Sequence, residues 1–354
     1  MMNSTEYVPE NAVWELTLRC NMRCLHCGSA AGKARKNELS LEECFRVADE
    51  LLGLGCRNIT FIGGEIFFYR GWEKVARRMS DGGATVNIIT NAFRLGDEEI
   101  AQIKAANLSN VGISLDGMEK NHDRIRGKKG AYQRVLSAFE RLNQEGIPTA
   151  VVTSLLDFNV ADLEQMHDLL AAHRVEIWQI QIVNAMGNIA GGQEYLLNPA
   201  RLGEITNFIR GKRRAGAVRV YAGDDIGYFD ENEIYLRSRP GTISVWNGCQ
   251  AGLRVVGIDS AGNVKGCESI YSDKFIEGNL REESLAEIWT KDGNFAYNRN
   301  FDVSMLTGAC ASCDKGSQSR GGCRGSSYFS SGSLFESRYC NYPGRPACNA
   351  SSHQ

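Results

Sequence analysis

The sequence predicts an α/β fold, a partial barrel of six β/α units, (β/α)6, followed by a cysteine-rich, loop-rich extension. Three observations carry this reading. Strand-like and helix-like segments alternate from about residue 13 to about residue 185. Polar and glycine-rich motifs recur where the strand-like segments end. The twelve cysteines gather in one group at Cys20, Cys24 and Cys27 and a second between Cys249 and Cys348.

Val13 to Leu18 reads as the first strand, with the first cysteine group directly after it. Ser40 followed by Glu43 forms a capping box that starts a helix, with Leu41, Phe45, Ala48, Leu51 and Leu52 at helical spacing. Asn58 to Ile62 is a strand ending in Gly63-Gly64; Thr85 to Thr90 and Val111 to Leu115 are the next two. A helix follows, striped by Tyr132, Val135, Leu136, Phe139 and Leu142, then strands Thr149 to Leu156 and Glu176 to Val183. Repeated strand–helix units imply parallel strands with right-handed crossovers, which collect chemistry at the C-terminal strand ends. The expected division is a barrel over residues 12–186, a linker or bridging region over 187–248, and a cluster-binding domain over 249–348. That last part has little periodicity and needs covalent or metal staples in place of a large core.

The composition is that of a globular chain with a real core: 354 residues, 43% hydrophobic, 23% charged. A net charge of −2 gives no global pull toward nucleic acid or an anionic membrane. The N-terminus lacks the basic start and apolar stretch of a signal peptide, and no apolar run is long enough to span a bilayer. A cytoplasmic location is therefore expected, where cysteine groups bind metal or do chemistry more often than they form disulfides. Cys44 and Cys56 stand apart and read as small buried hydrophobes.

Cys20-Asn-Met-Arg-Cys24-Leu-His-Cys27 places three thiols on one short loop, enough to hold three irons of a 4Fe–4S cluster and leave the fourth for a small molecule. Zinc is the alternative, although a closed zinc site asks for four protein ligands. With its position after the first strand, this motif resembles that of the radical S-adenosylmethionine (SAM) superfamily, whose fold is a TIM-like partial barrel. Gly63-Gly64-Glu65-Ile66 is similar to that family's Gly-Gly-Glu-Pro motif, with Ile66 in place of proline. The resemblance implies contact with the methionine amine of SAM, glycines permitting close approach and Glu65 pairing with the ammonium. Ser114-Leu-Asp116-Gly is similar to the region that holds the ribose and carboxylate of SAM. Arg126 matches the family's carboxylate-binding arginine, and Asn91 at the end of the third strand is a further SAM contact or, equally, a helix cap. The implied chemistry is reductive cleavage of SAM to methionine and a 5′-deoxyadenosyl radical that abstracts hydrogen.

In the second group, Cys249 is followed after twelve residues by Gly262 and, four residues later, by Cys267. Then come Cys310, Cys313, Ser319, Cys323 and Cys340. These spacings resemble the SPASM extension of radical SAM peptide-maturing enzymes, which binds auxiliary iron–sulfur clusters, except that Ser319 stands where that pattern has cysteine. The resemblance implies one cluster on Cys249, Cys267 and Cys323, and a second on Cys310, Cys313 and Cys340. For the second, Ser319 is a poorer oxygen ligand, Cys348 substitutes, or one iron stays open. A zinc-ribbon-like pair at Cys310 and Cys313 is the minority reading. Glu268, beside Cys267, stands where sulfatase-maturing relatives carry a proton-removing carboxylate.

The resemblance thus implies an oxidoreductase or maturase acting on a ribosomally made precursor peptide or protein, with a SAM-binding cluster, one or two auxiliary clusters and SAM as cofactors. The expected partners are the substrate and a reductase or flavodoxin-type electron donor; little chain precedes Val13, so the leader peptide is expected to be held by a separate leader-peptide-binding protein or directly by the barrel. A formylglycine-forming sulfatase maturase, a small-molecule SAM dehydrogenase and a non-enzymatic iron–sulfur electron carrier are the alternatives.

Overall fold

The computed structural model describes residues 7–216, 218–224, 226–227 and 229–344. Six strands, β1 (Asn11–Glu15), β2 (Asn58–Ile62), β3 (Thr85–Thr90), β4 (Asn110–Ser114), β5 (Thr149–Leu155) and β6 (Ile177–Ile182), pair in sequence order and in parallel. Parallel neighbours need long crossovers. These are supplied by α1 (Leu41–Gly53), α2 (Trp72–Asp81), α3 (Asp97–Ala106), α4 (Glu119–Arg126), α5 (Ala131–Gln144) and α6 (Leu163–Ala172). The expected partial barrel is present.

Local chemistry explains each start. Ser40 accepts the Glu43 backbone N–H, and Glu43 reaches back to Ser40, closing the capping box of α1. Cys44, Val47, Ala48 and Leu51 form the buried face of that helix. In α5 the buried face is Tyr132, Val135, Ala138, Phe139 and Leu142, close to the stripe read from the sequence. These faces join one core with Trp14, Phe61, Ile88, Ile113, Val151 and Trp178 from the strands. The Trp178 indole N–H donates to Thr153 Oγ1 at 2.8 Å, and Thr153 donates to the Leu115 carbonyl at 2.6 Å, so this polar pair enters the core satisfied.

The sheet extends beyond the expected barrel at both edges. Residues 187–248, read from the sequence as a linker, carry α7 (Leu202–Ala215) and β7 (Arg219–Ala222), which pairs in parallel with β6. At the other edge β8 (Val255–Ile258) pairs in parallel with β1, and β9 (Asn263–Lys265) and β10 (Gly278–Asn279) continue antiparallel. The order is β10-β9-β8-β1-β2-β3-β4-β5-β6-β7. The extension is therefore hydrogen-bonded into the barrel sheet. Gly262 makes the β8–β9 turn at φ +85°, a conformation costly for any residue with a Cβ. The turn's length and β9 then put Cys267 just past the hairpin. Among the described residues no helix is long and apolar enough to cross a membrane.

Candidate functional site

The C-terminal ends of β1 to β7 open onto one cavity of about 280 Å³. Cys20, Cys24, His26 and Cys27 line it from the loop after β1. Gly63 and Gly64 do so from β2, Thr90 and Asn91 from β3, and Ser114 from β4. Ser154, Gln181 and Asp224 continue the wall from the ends of β5, β6 and β7. Ser269 contributes from the C-terminal extension.

β1 stops at Glu15, three residues short of the expected end, because the chain beyond it bonds to the Gly63-Gly64-Glu65 segment instead of a strand. Gly64 N–H donates to the Thr17 carbonyl at 2.7 Å and Glu65 N–H to that of Arg19 at 2.8 Å. An added Cβ would lie 2.6 Å from Thr17 O at Gly63 and 2.4 Å from Arg19 O at Gly64. In this structure the glycines admit the protein's own cysteine loop. Gly64→Ala is expected to displace that loop, costing about 1–3 kcal/mol from overpacking. Iron and sulfide analysis should show loss of the N-terminal cluster with the C-terminal iron retained; full iron content would contradict this.

Donors point at the thiols of the loop. Met22 N–H reaches Cys20 Sγ at 3.4 Å, Ala31 N–H reaches Cys27 Sγ at 3.3 Å, and Arg126 Nη1 lies 3.9 Å from Cys24 Sγ. Such donors favour thiolate, the form that binds iron. Burial meanwhile pushes the Cys20 thiol up to about 11, so metal binding there must displace a proton. From the far side the β6 end grips the same loop: Asn188 N–H donates to the Cys27 carbonyl at 3.0 Å and Asn188 Nδ2 to the Cys24 carbonyl at 2.9 Å.

Arg126, buried at the end of α4, lines the cavity and pairs with Asp116 Oδ2 at 2.7 Å. Asp116 is fully buried, takes the Ser154 N–H at 2.9 Å and faces His26 Nε2 at 3.3 Å. Burial alone would raise its pKa, but Arg126 and His26 hold it well below the usual carboxylate range. Asp116 therefore sits behind the cavity wall and fixes Arg126. Glu65 is displaced from its expected place in the same way. Its two oxygens accept the Thr90 hydroxyl at 2.7 Å and the Asn91 N–H at 2.8 Å, and Thr90 and Asn91 do the lining. Burial raises Glu65 to about 7. Asn91 also donates to Asn21 Oδ1 at 2.8 Å, tying β3 to the cysteine loop.

Glu268 also lies away from the cavity; in the turn that follows Cys267 it is Ser269 that reaches the cavity wall. Its carboxylate is buried 3.2 Å from Lys265 Nζ. Burial raises it to about 7 against the pull of Lys265, with Glu15 and Asp259 adding to the rise. Close by, Arg35 joins Glu15 (3.1 Å), Tyr271 (2.5 Å) and Ser260 (2.9 Å), linking β1 to the extension. His26 stands within the cysteine motif itself, but nothing in the sequence pattern marked Ser154, Gln181 or Asp224. Their signal was position alone, at or just past strand ends.

In the extension Cys249, Cys267, Tyr297 and Trp246 pack in one small cluster with Ile270. A hydrogen bond with Cys323 holds Cys249 below the usual thiol range despite its burial, and Arg324 adds to this. Arg324, wholly buried, donates to the carbonyls of Arg320 and Leu334, while its Nε and Nη2 have no hydrogen-bond partner among the described residues. A buried cation beside Cys249 and Cys323 suits an anionic cluster. Separately, Cys310, Cys313, Ser319 and Cys340 line one small cavity with Phe229 and Tyr342. The structure thus brings Ser319 to the cysteines the spacing grouped it with; Cys348 lies outside the described residues. Among the described residues Ser319 Oγ makes only long contacts, 3.5 Å to Gly316 O and 3.4 Å from Gly321 N–H. Ser319→Cys is expected to add a soft ligand there. Slower loss of iron to a chelator and a higher iron and sulfide count should follow, and no change would remove Ser319 from the site. Among the described residues no three His, Cys, Asp or Glu side chains are arranged to hold a single metal ion. A cluster, with its irons at separate corners, asks for a wider spread of thiols than one zinc ion does.

Comparison with known proteins agrees with this architecture. Residues 14–170 match the radical SAM superfamily and residues 249–314 an iron–sulfur cluster-binding domain, SPASM. The chain is 26% identical to the AdoMet-dependent heme synthase of Methanosarcina barkeri over 95% of this chain and 98% of that one. It is 29% identical to the mycofactocin maturase MftC of Mycolicibacterium smegmatis over 89% and 78%. SuiB of Streptococcus suis bound to S-adenosylmethionine shares the fold, with a TM-score of 0.75, 16% identity and coverage of 95% and 78%. SuiB bound to precursor peptide SuiA gives the same TM-score, 0.75, at 16% identity and coverage of 94% and 75%. A barrel with a thiol loop at its mouth and a second cysteine-rich unit on its sheet agrees with these matches: the chain belongs to the radical SAM superfamily and carries a SPASM domain, with a SAM-binding 4Fe–4S cluster, auxiliary iron–sulfur clusters and S-adenosylmethionine as its cofactors.

Proposed function

We propose that this radical SAM enzyme is a peptide maturase that abstracts hydrogen from a residue of a ribosomally made precursor peptide. The observation that carries the reading is a second cavity that adjoins the first. The cavity lined by Cys20, Cys24 and Cys27 shares Val183 and Asn184 with a second cavity of about 340 Å³. That second cavity runs between residues 193–199 and Phe329, Ser330, Arg338 and Tyr339 of the extension. Two adjoining cavities in this arrangement suit an extended chain. MftC is named as a maturase and SuiB is solved with a precursor peptide, which supports the same substrate class.

When bound, the cluster and SAM would supply the one-electron cleavage chemistry that hydrogen abstraction needs. The chain supplies placement. Cys20, Cys24 and Cys27 hold the SAM-binding cluster. Arg126, fixed by Asp116, meets the carboxylate of SAM, while Asn91 and Ser114 offer polar contacts at neighbouring strand ends. Glu65 acts at one remove, by holding Thr90 and Asn91. Cys249, Cys267 and Cys323 hold one auxiliary cluster, and Cys310, Cys313 and Cys340 with Ser319 hold the other. Among the described residues Asp224 is the carboxylate in the cavity wall, and the proton-accepting role expected of Glu268 is assigned to it.

The match over 98% of a heme synthase favours a second reading, a heme precursor as substrate. Reconstituted, reduced protein should be given SAM with short peptides encoded beside its gene, or with heme precursors. A change in peptide mass together with 5′-deoxyadenosine supports the proposal. Turnover of a heme precursor and of no peptide establishes the second reading instead.

A further inference from the structure

The outer side of the cysteine loop carries a feature that the chemistry inside the cavity does not use. The Phe68 ring is flanked by the guanidiniums of Arg19 and Arg94, 5.0 and 5.3 Å from its centroid. The Phe93 ring is flanked by Lys128 Nζ at 3.9 Å and the Arg134 guanidinium at 5.5 Å. Both rings follow segments that hold the loop: Phe68 comes just after Glu65, and Phe93 donates its backbone N–H to Asn91 Oδ1 at 2.9 Å. Lys128 also donates to the carbonyl of Asn21, between Cys20 and Cys24, at 3.1 Å. Arg19, Arg23, Arg94 and Arg134 are exposed. From Leu16 to Asn37 every charged residue is basic. Arg94 pairs with Glu99 at 2.9 Å and with Glu98 at 3.7 Å, while among the described residues Arg19, Arg23, Lys128 and Arg134 make no ion pair. In a chain with net charge −2, this is a local concentration of cations set in place by aromatic rings.

We propose that this collar is the docking surface for an acidic one-electron donor protein of the flavodoxin or ferredoxin class, which delivers its electron to the cluster held by the Cys20–Cys27 loop. The step is balanced: the donor loses one electron, the cluster gains one, and no bond or proton moves in the protein. Charge complementarity selects an acidic partner, steers it and fixes its orientation. Position selects an electron donor, because the cations surround the stretch of loop between Cys20 and Cys24. The ring-stacked cations are ordered before the partner arrives, which lowers the cost of ordering them on docking.

The test reads 5′-deoxyadenosine formation without any peptide, so it is separate from the substrate assignment. Holoenzyme is driven either by an acidic flavodoxin with its reductase or by chemically reduced methyl viologen, a small cation. Arg19→Glu and Arg134→Glu are each expected to lower the flavodoxin-driven rate by about tenfold at low salt. Raising salt from about 20 to about 300 mM should slow the wild type toward the variants, because the Debye length shrinks. The viologen-driven rate should hold in both variants. If Arg19→Glu, next to Cys20, also loses viologen-driven turnover, Arg134→Glu on α5 decides. A flavodoxin-driven rate indifferent to Arg134→Glu and to salt overturns the proposal. So does a collar that binds an oligonucleotide while that rate stays indifferent to Arg134→Glu.

Discussion

Replacing Cys20, Cys24 and Cys27 together by alanine is expected to abolish 5′-deoxyadenosine formation while iron remains bound in the extension. The three thiols occupy one loop that the Gly63-Gly64-Glu65 backbone grips on one side and Asn188 on the other, and they share the cavity with Arg126. The cysteines of the extension form separate groups, one packed with Tyr297 and Trp246 and one around Ser319. Removing the first set leaves these other thiols untouched, so iron and sulfide should fall by one cluster's worth. Chromatography of the nucleoside product alongside metal analysis checks both halves. Continued SAM cleavage by the triple variant would remove this loop from the chemistry. Loss of all iron would mean that the extension depends on the loop for its own assembly.

Arg126→Ala should produce two losses that a second variant separates. One is SAM affinity: a charge-assisted bond to a carboxylate contributes about 1.5–3 kcal/mol, so Kd should rise about 10- to 100-fold. The other is stability. Asp116 is fully buried, and Arg126 at 2.7 Å is its main counter-charge; breaking a buried pair on one side costs about 3–5 kcal/mol. Arg126→Ala with Asp116→Asn removes both charges and should recover most of the lost Tm without recovering SAM binding. Calorimetry and SAM titration on the two variants provide the check. Recovery of SAM affinity in the double variant would mean that Arg126 acts only as the partner of Asp116.

Much of this protein is legible without coordinates. The strand–helix alternation rests on short-range hydrophobic spacing, so β2 and β3 fall where the sequence puts them, and the capping box at Ser40 starts α1 as read. The resemblance to the SPASM pattern groups Cys310, Cys313 and Cys340 with Ser319, and these four line one small cavity. Gly262 is in that pattern for its φ of +85°. What spacing leaves open is which face of a short segment points where. Glu65, Asp116 and Glu268 stand in motifs at the cavity's edge, yet each is buried behind it, bonded respectively to Thr90 and Asn91, to Arg126, and to Lys265.

The joining of the two halves is equally a tertiary result. β7, in the expected linker, and β8, in the extension, add to opposite edges of the barrel sheet, since an unpaired strand edge takes whatever chain the fold brings to it. Segments far apart in sequence thereby meet at one cavity: Asp224 follows β7, and Ser269 stands beside Cys267, past β9. The sequence by itself determined the chemistry, an iron–sulfur site at the mouth of a parallel barrel, because ligand type and loop spacing are written locally. Only the tertiary structure decided which carboxylates face that chemistry and which hold its other groups in place, because burial and pairing depend on neighbours that spacing does not encode.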